Sequence, residues 1–188
     1  MAKELDKVLN YKKSCQSQVE WDVYLMNLTQ AISLKSKCLS RKIGALLVRD
    51  NSIIATGYNG PPRGVRHCDE RLEEVDINDP LYKELQIGQV YDPTICPRRH
   101  LGYSSGQGLH LCIAAHAERN CISNAAMHGV ATKEATLYLN CEAPCKDCMA
   151  AIINAGIKHI VCLRKKAYDP LANLMAEDAK VLIREVTL

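Results

Sequence analysis

The 188-residue sequence contains no phenylalanine and one tryptophan, so its core must be built from aliphatic residues, alanine and tyrosine. It has no apolar run near the roughly 20 residues that span a bilayer, which excludes a helical membrane protein. It has no excess of one charge either, since the formal net charge of +3 is too small to indicate a duplex-binding protein. The first residues are polar and lack the apolar core of a secretory signal, so we expect a cytoplasmic protein.

Cysteine, in contrast, is abundant, with ten residues in the chain. Disulfides are rare in a reducing cytosol, so these thiols are expected to bind metal, to take part in catalysis or to lie buried as small apolar side chains. The apolar fraction of 47% and the charged fraction of 24% are ordinary for a globular protein. The length suits one domain, or one domain with a large insertion.

The apolar pattern predicts an α/β fold. Residues 21–32 have helical spacing, and strands at 43–48 and 52–58 are separated by a tight turn at Asp50-Asn51, so they must pair antiparallel. Beyond residue 112, helices alternate with strands. The predicted helices cover residues 114–128, 145–155 and 170–178, and the predicted strands cover residues 136–141, 159–163 and 181–186. We therefore predict a mixed sheet of about five strands with helices on both faces.

Residues 61–112 interrupt this pattern with turn-forming Gly and Pro and with an acidic stretch at 69–84. A structureless loop of this length is unusual in a compact domain unless something pins it. Residues that could do so by binding a metal are His67, Cys68, Cys96, His100, His110 and Cys112. We interpret residues 1–19 as an N-terminal extension and residues 20–188 as a single domain with an insertion at about 61–112.

Two segments carry the expected chemistry, His116-Ala117-Glu118 and Pro144-Cys145-Lys146-Asp147-Cys148. Both precede or enter a predicted helix, so their side chains should converge at helix N-termini, where the positive helix ends favour thiolates. One His and two thiolates leave a tetrahedral zinc with the open position that catalysis needs. Glu118 is then the general acid and base. Alone, the Cys-x-x-Cys pair could be redox-active or half of a zinc ribbon, but the combination is the signature of zinc nucleobase deaminases.

The sequence resembles the deoxycytidylate deaminases of the cytidine deaminase superfamily from about Trp21 to the C-terminus. The shared motifs are Ser36-Lys37-Cys38, Ile43-Gly44-Ala45, Gly57-Tyr58-Asn59-Gly60, His116-Ala117-Glu118-Arg119-Asn120 and the segment at 144–148. Gly-Tyr-Asn-Gly is the more specific motif, because deaminases of transfer-RNA adenosine usually lack it. The resemblance implies a three-layer cytidine deaminase-like fold and zinc-dependent hydrolysis of dCMP to dUMP, which supplies thymidylate synthesis.

The resemblance also implies roles for individual residues. His116, Cys145 and Cys148 would bind the catalytic zinc, and Glu118 would transfer protons. Asn59 would bind the sugar, the backbone N–H of Ala117 the pyrimidine carbonyl, and the backbone carbonyl of Ala143 the departing amine. Ala143 replaces the Ser or Glu that is common before this proline. For the phosphate we expect Arg41 or Lys42, with Arg63 and Arg119 as alternatives.

A second, structural zinc is implied for the phage and bacterial type. Its expected ligands are Cys38 and Cys68, with Cys96 and Cys112 as the best remaining pair and His67, His100 and His110 as rivals. The other cysteines lie in predicted core elements or in the extension, and we expect no function for them: Cys15, Cys121, Cys141 and Cys162.

The implied partners are a small-molecule nucleotide, the effectors dCTP and dTTP, and further copies of the chain, commonly in a hexamer, with no nucleic acid and no membrane. Alternative substrates are CMP, a 5-modified dCMP and transfer-RNA adenosine, the last disfavoured by the acidic stretch at 69–84. The alternative outside enzymes is a zinc-stabilised binding module. A purely structural metal has no use for Glu118, which argues against that reading.

Overall fold

Five strands form a mixed sheet at the centre of the computed structural model, which describes residues 20–73, 78–84, 92–104, 106–167 and 169–188. The strands are β1 (Gly44–Arg49), β2 (Ser52–Tyr58), β3 (Thr136–Leu139), β4 (His159–Cys162) and β5 (Leu182–Glu185). Their order is β2-β1-β3-β4-β5. β1 pairs antiparallel with β2 and β3, whereas β3–β4 and β4–β5 are parallel. The predicted mixed α/β sheet is confirmed.

The helices are α1 (Trp21–Ser33), α2 (Glu70–Glu73), α3 (Pro80–Glu84), α4 (Pro97–His100), α5 (Ala117–Met127), α6 (Lys146–Asn154) and α7 (Pro170–Asp178). Side chains of β1 alternate between two hydrophobic clusters, because successive residues of a strand face opposite sides. Leu46 packs in the cluster that contains Leu25 of α1. Leu47 packs in the other cluster, with residues of α5, α6 and α7. The sheet is therefore the middle of three layers, as predicted. No helix within the described ranges is long and apolar enough to cross a membrane.

The hairpin between β1 and β2 forms as predicted. Asp50 and Asn51 have φ values of 50° and 57°, so both central residues of the turn adopt the left-handed conformation. Such a turn matches the right-handed twist of the strands that it joins, and Asp and Asn tolerate it better than most residues.

The predicted helix at 114–128 begins three residues too early. Ala115 pairs with Gly60 through two backbone hydrogen bonds, of 2.9 and 3.1 Å, so the chain is still extended there. His116 is extended as well, and the helix starts at Ala117. This short bridge fixes the point at which α5 begins, and therefore the position of His116.

The described part of the insertion is held together by a buried arginine that was not identified from the sequence. Arg71 is 6% exposed and donates two hydrogen bonds, of 2.7 and 2.6 Å, to the carboxylate of Asp79. These bonds lower the pKa of Asp79 from its usual range. Arg71 also donates to the carbonyl of Leu111, in the 3₁₀ turn Leu109–Leu111, at 3.0 Å. One side chain thus joins three parts of the insertion. The extension at 1–19 lies outside the described residues, and the domain division stays a prediction.

Gly57 lies where β2 passes close to α5. A Cβ atom at Gly57 would lie 2.5 Å from the carbonyl oxygen of Ala117 and 2.7 Å from the Cα of Cys121. Both are backbone atoms, so α5 would have to move. We expect Gly57→Ala to lower the free energy of unfolding by about 1–3 kcal/mol, as overpacking does, measured by urea denaturation.

Gly60→Ala is the matched control, because a Cβ atom there would meet nothing within 4 Å. Its unfolding midpoint should stay near that of the wild type. Equal midpoints for Gly57→Ala and the wild type would show that the approach of β2 to α5 is not a steric constraint.

Candidate active site

The two predicted motifs meet at two helix N-termini, as expected. His116 is the N-cap residue of α5, and Cys145 is the N-cap residue of α6. Cys148 lies in the first turn of α6. The positive ends of both helix dipoles therefore point at the same place, which favours negative charge there.

The distances between these side chains fit a zinc ion. His116 Nδ1 lies 3.5 Å from Cys145 Sγ and 3.3 Å from Cys148 Sγ. Tetrahedral zinc with ordinary bond lengths places nitrogen and sulfur ligands about 3.6 Å apart. Among the residues that the structure describes, this is the one group of three or more His, Cys, Asp or Glu whose ligand atoms all lie within 4.8 Å of one another.

The electrostatics of the group favour a thiolate. A hydrogen bond from Cys148 and another from His116 lower the pKa of Cys145 to about 3, against the opposing effect of burial. The hydrogen bond to Cys145 raises the pKa of His116, and the bond that Cys148 donates, together with burial, raises the pKa of Cys148. Without metal, one sulfur is thus ionised and the other holds a proton. A metal that binds both sulfurs must displace that proton.

Glu118 lines the same cavity as His116 and Cys145. Its side chain is in the first turn of α5, and the residue is 4% exposed. Burial raises the pKa of this carboxyl group. A raised pKa suits a group that must both accept and release a proton near neutral pH.

Asn59 is 6% exposed and forms part of the cavity wall. Its Oδ1 accepts a hydrogen bond from the Ile43 N–H, and its Nδ2 donates to the Arg41 carbonyl, both at 2.8 Å. Its own carbonyl accepts from Ser36 Oγ at 2.7 Å. Each amide atom of Asn59 retains capacity for one more hydrogen bond. Asn59 therefore shapes the wall at residues 41–43 and can still bind a ligand.

Of the two residues predicted to contact the substrate through their backbone, Ala143 lines the cavity, and Ala117 lies in the chain between the lining residues His116 and Glu118. Ala117 is the first residue of α5, where helix geometry leaves the N–H without an intrahelical partner. Ala143 lines the cavity and is 3% exposed. Its N–H donates to the carbonyl of Arg164 at 2.9 Å, which fixes the orientation of this segment just before Pro144.

Of the two residues predicted to bind the phosphate, one lines the cavity and the other does not. Arg41 lines the cavity and pairs with Glu142 at 2.5 Å. Lys42 is exposed and is not among the lining residues. Of the alternatives, Arg63 donates to Asn124 Oδ1 at 2.8 Å beside β2, and Arg119 does not line the cavity.

Arg98, a lining residue from the insertion, was not identified from the sequence. The only sequence signal is its position two residues after Cys96, a predicted metal ligand.

The four cysteines expected at a structural zinc lie near one another. Burial, together with the neighbouring thiols of Cys112, Cys96 and Cys38, raises the pKa of Cys68 to about 11, against an opposing effect of Arg71. These thiols come from four separate segments of the chain. No three of them meet the 4.8 Å limit in the described structure. Among the rival ligands, His110 Nε2 contacts Glu84 instead, at 2.6 Å.

The remaining described cysteines lie in the core, as predicted. Cys121, Cys141 and Cys162 are all buried. Desolvation raises the pKa of Cys121 to about 12 and that of Cys162 to about 11, and it raises the pKa of Cys141 as well. These thiols stay protonated near neutral pH and are poor nucleophiles. Cys15 lies outside the described residues.

The fold and the site together define a class: three-layer α/β proteins with an open three-ligand metal centre of the kind found in zinc nucleobase deaminases. The sequence model of the cytidine and deoxycytidylate deaminase zinc-binding region matches residues 19–164, and the chain belongs to this family.

Individual relatives agree with the family. The deoxycytidylate deaminase of Schizosaccharomyces pombe is 32% identical over 165 residues, which cover 88% of this chain and 44% of that protein. The deoxycytidylate deaminase of Enterobacteria phage T4 is 34% identical over 147 residues, which cover 73% of this chain and 74% of that protein. The chain spans less than half the length of the two yeast relatives. The match covers 44% of the Schizosaccharomyces pombe protein and 44% of the Saccharomyces cerevisiae protein.

A solved structure shares the fold. The dCMP deaminase of cyanophage S-TIM5, in complex with dCMP and dUMP, superposes with a TM-score of 0.62. It is 21% identical, and the match covers 91% of this chain and 100% of that chain. At this identity the likeness supports the three-layer fold and nothing finer.

We expect His116→Ala to remove about one zinc ion per chain, because two sulfur ligands alone bind zinc much more weakly than three ligands. Metal analysis after dialysis measures this loss, and circular dichroism should show a retained fold. Cys162→Ala is the control, because it removes a buried thiol that lies outside the ligand group. Unchanged zinc in His116→Ala would exclude His116 as a ligand.

Proposed function

We propose that this chain catalyses the hydrolytic deamination of dCMP to dUMP, and so supplies dUMP for thymidylate synthesis. The observation that carries the proposal is the cavity in which His116, Cys145 and the buried Glu118 meet beside Asn59. The family membership and the relatives named deoxycytidylate deaminase support it. The bound dCMP and dUMP of the cyanophage structure belong to a protein of the same fold.

In this proposal His116, Cys145 and Cys148 hold the catalytic zinc. A bound zinc would supply Lewis acidity, which makes water nucleophilic near neutral pH. Glu118 takes a proton from the attacking water and passes it to N3 of the cytosine ring. Once water has added, Glu118 takes the proton of the new C4 hydroxyl and delivers it to the amine, so that the C4–N bond breaks, ammonia leaves and C4 becomes the carbonyl of uracil.

Three further residues position the substrate in this scheme. The Ala117 N–H holds the pyrimidine carbonyl, and the Ala143 carbonyl accepts a hydrogen bond from the departing amine. Asn59 binds the sugar through the hydrogen-bonding capacity that remains on its amide. Together these contacts would orient C4 of the base toward the metal, which lowers the entropic part of the barrier.

Replacing Glu118 by Gln keeps the size of the side chain and removes its ability to transfer protons. We expect Glu118→Gln to lower kcat for dCMP by at least ~10²–10⁴-fold, while zinc content and dUMP affinity stay near wild type. Steady-state kinetics, metal analysis and calorimetry measure the three quantities.

Glu177→Gln is the matched control, since it makes the same change at an exposed position on α7. Its kcat should remain within about twofold of wild type. A zinc-loaded Glu118→Gln protein with near-normal kcat would refute the proton-transfer role.

A turnover screen tests the substrate. The proposal expects the highest kcat/KM for dCMP among dCMP, CMP, dCTP, deoxycytidine and 5-substituted dCMPs. A higher kcat/KM for CMP or for a 5-modified dCMP would identify that nucleotide as the substrate instead. Turnover of a transfer-RNA anticodon stem would identify transfer-RNA adenosine as the substrate. Absence of turnover with all of them would favour the zinc-stabilised binding module.

We also propose a second, structural zinc bound by Cys38, Cys68, Cys96 and Cys112. Its support is the placement of these thiols around Cys68, where their like charges, once ionised, would repel one another without a cation. Cys38 and Cys112 also line the active-site cavity. This zinc would therefore join the cavity wall to the insertion.

We expect two zinc ions per chain in wild-type protein and one in Cys68→Ala, because a structural zinc site needs four ligands. The insertion should also become more sensitive to limited proteolysis, since zinc binding contributes folding free energy. His116→Ala should lose the other ion and keep the insertion intact. One zinc per chain in the wild type, with Cys38 and Cys68 open to alkylation, would contradict the second site.

Finally, we propose that the chain is cytoplasmic and forms a homo-oligomer, a hexamer by resemblance, with dCTP and dTTP as effectors. The family membership supports this proposal.

A further inference from the structure

The active-site cavity is lined by residues from separate parts of the chain. His116, Glu118 and Cys145 lie at the N-termini of α5 and α6. Arg98 and Leu109, which come from the insertion, line the same cavity. A nucleotide with its base at the metal would direct its 5′ end away from these helix termini. The cations that line the cavity therefore decide which charged group of a ligand it can bind.

No carboxylate among the described residues neutralises the charge of Arg98. Within the described residues, no Asp or Glu oxygen lies within 4.0 Å of its guanidinium, and Nη1 donates to a neutral acceptor, the Gln107 carbonyl, at 2.5 Å. Its Nε is buried and has no hydrogen-bond partner in the part of the chain that the structure describes. Buried donors are almost always paired in native proteins, so this N–H points to a missing acceptor.

The other lining cation is already compensated, because Arg41 pairs with Glu142 at 2.5 Å. Arg98 is held in place by its own contacts: the Tyr103 N–H donates to its carbonyl at 2.9 Å, and its side chain is anchored at Gln107. A fixed guanidinium with open donors binds a phosphate by charge-assisted, often bidentate hydrogen bonds.

We propose that Arg98 binds the 5′-phosphate of the substrate and sets the preference for nucleoside monophosphates over nucleosides. The inference rests on the proposed function for the position of the base, and it replaces Arg41 and Lys42 as the leading choice for the phosphate. The insertion then selects the substrate, while α5 and α6 carry the chemistry.

The test compares binding of dUMP and deoxyuridine to zinc-loaded protein by calorimetry. Arg98→Ala should weaken dUMP binding by about 10- to 100-fold, the usual effect of losing hydrogen bonds to a charged group. In the same variant, the fold-change in deoxyuridine affinity should be at least tenfold smaller than the fold-change in dUMP affinity. Arg98→Lys should recover part of the dUMP affinity, because it restores the charge without the planar fork.

Arg99→Ala is the matched control. Arg99 is the next residue of α4, is exposed, does not line the cavity, and donates to the Tyr103 carbonyl at 3.1 Å. Both affinities should stay within about twofold in this variant. If Arg98→Ala fails to fold, Arg98→Gln takes its place, because its amide can still donate to Gln107.

The proposal is overturned if folded Arg98→Ala, or its substitute, loses dUMP and deoxyuridine affinity equally or loses neither. It is also overturned if the wild type binds dUMP no better than deoxyuridine. The proposed function is judged separately, by turnover of dCMP in the wild type. If that turnover is absent while dUMP binding depends on Arg98, the function is wrong and the phosphate site stands.

Discussion

The site depends on the meeting of two helix N-termini on one face of the sheet. The positive ends of α5 and α6 would repel each other if nothing negative lay between them. The ionised thiol of Cys145 and the carboxyl group of Glu118 lie there, and His116 bridges the two helices through contacts with both sulfurs. The same field that stabilises the thiolate favours a bound metal and an anionic nucleophile. The chemistry that we propose for the site therefore depends on how the two helices are arranged.

The motif Gly57-Tyr58-Asn59-Gly60 supports this arrangement through three different interactions. Gly57 lets β2 approach the backbone of α5, where a Cβ atom would collide. Asn59 bonds to the backbone of residues 41–43 and so forms one wall of the cavity. Gly60 pairs with Ala115 and thereby sets the first turn of α5. These four residues thus set the distance between β2 and α5, form part of the cavity wall and fix the residue at which α5 begins. α5 is the helix that carries Glu118 and is capped by His116.

The insertion is a second structural unit of the site. Arg71 joins its parts through a buried pair with Asp79 and a bond to Leu111, and the thiols around Cys68 lie beside that pair. A buried arginine is costly unless its donors are paired, and here the carboxylate and the carbonyl accept three hydrogen bonds from it. The insertion places Arg98 in the wall of the cavity. In the proposed function, recognition of the phosphate by the insertion would be separate from the chemistry at the N-termini of α5 and α6.

The sequence by itself determined the mixed sheet, the hairpin turn at Asp50-Asn51 and the metal group, because periodicity, turn preferences and ligand spacing are local properties. It placed Cys121 and Cys162 in the core for the same reason. It did not determine that α5 begins at Ala117, since the bridge from Gly60 to Ala115 joins residues far apart in the chain. It also did not separate Arg98 from other basic residues. Whether a cation is neutralised depends on which carboxylate folds against it, as Glu142 does against Arg41, and only the tertiary structure decides that.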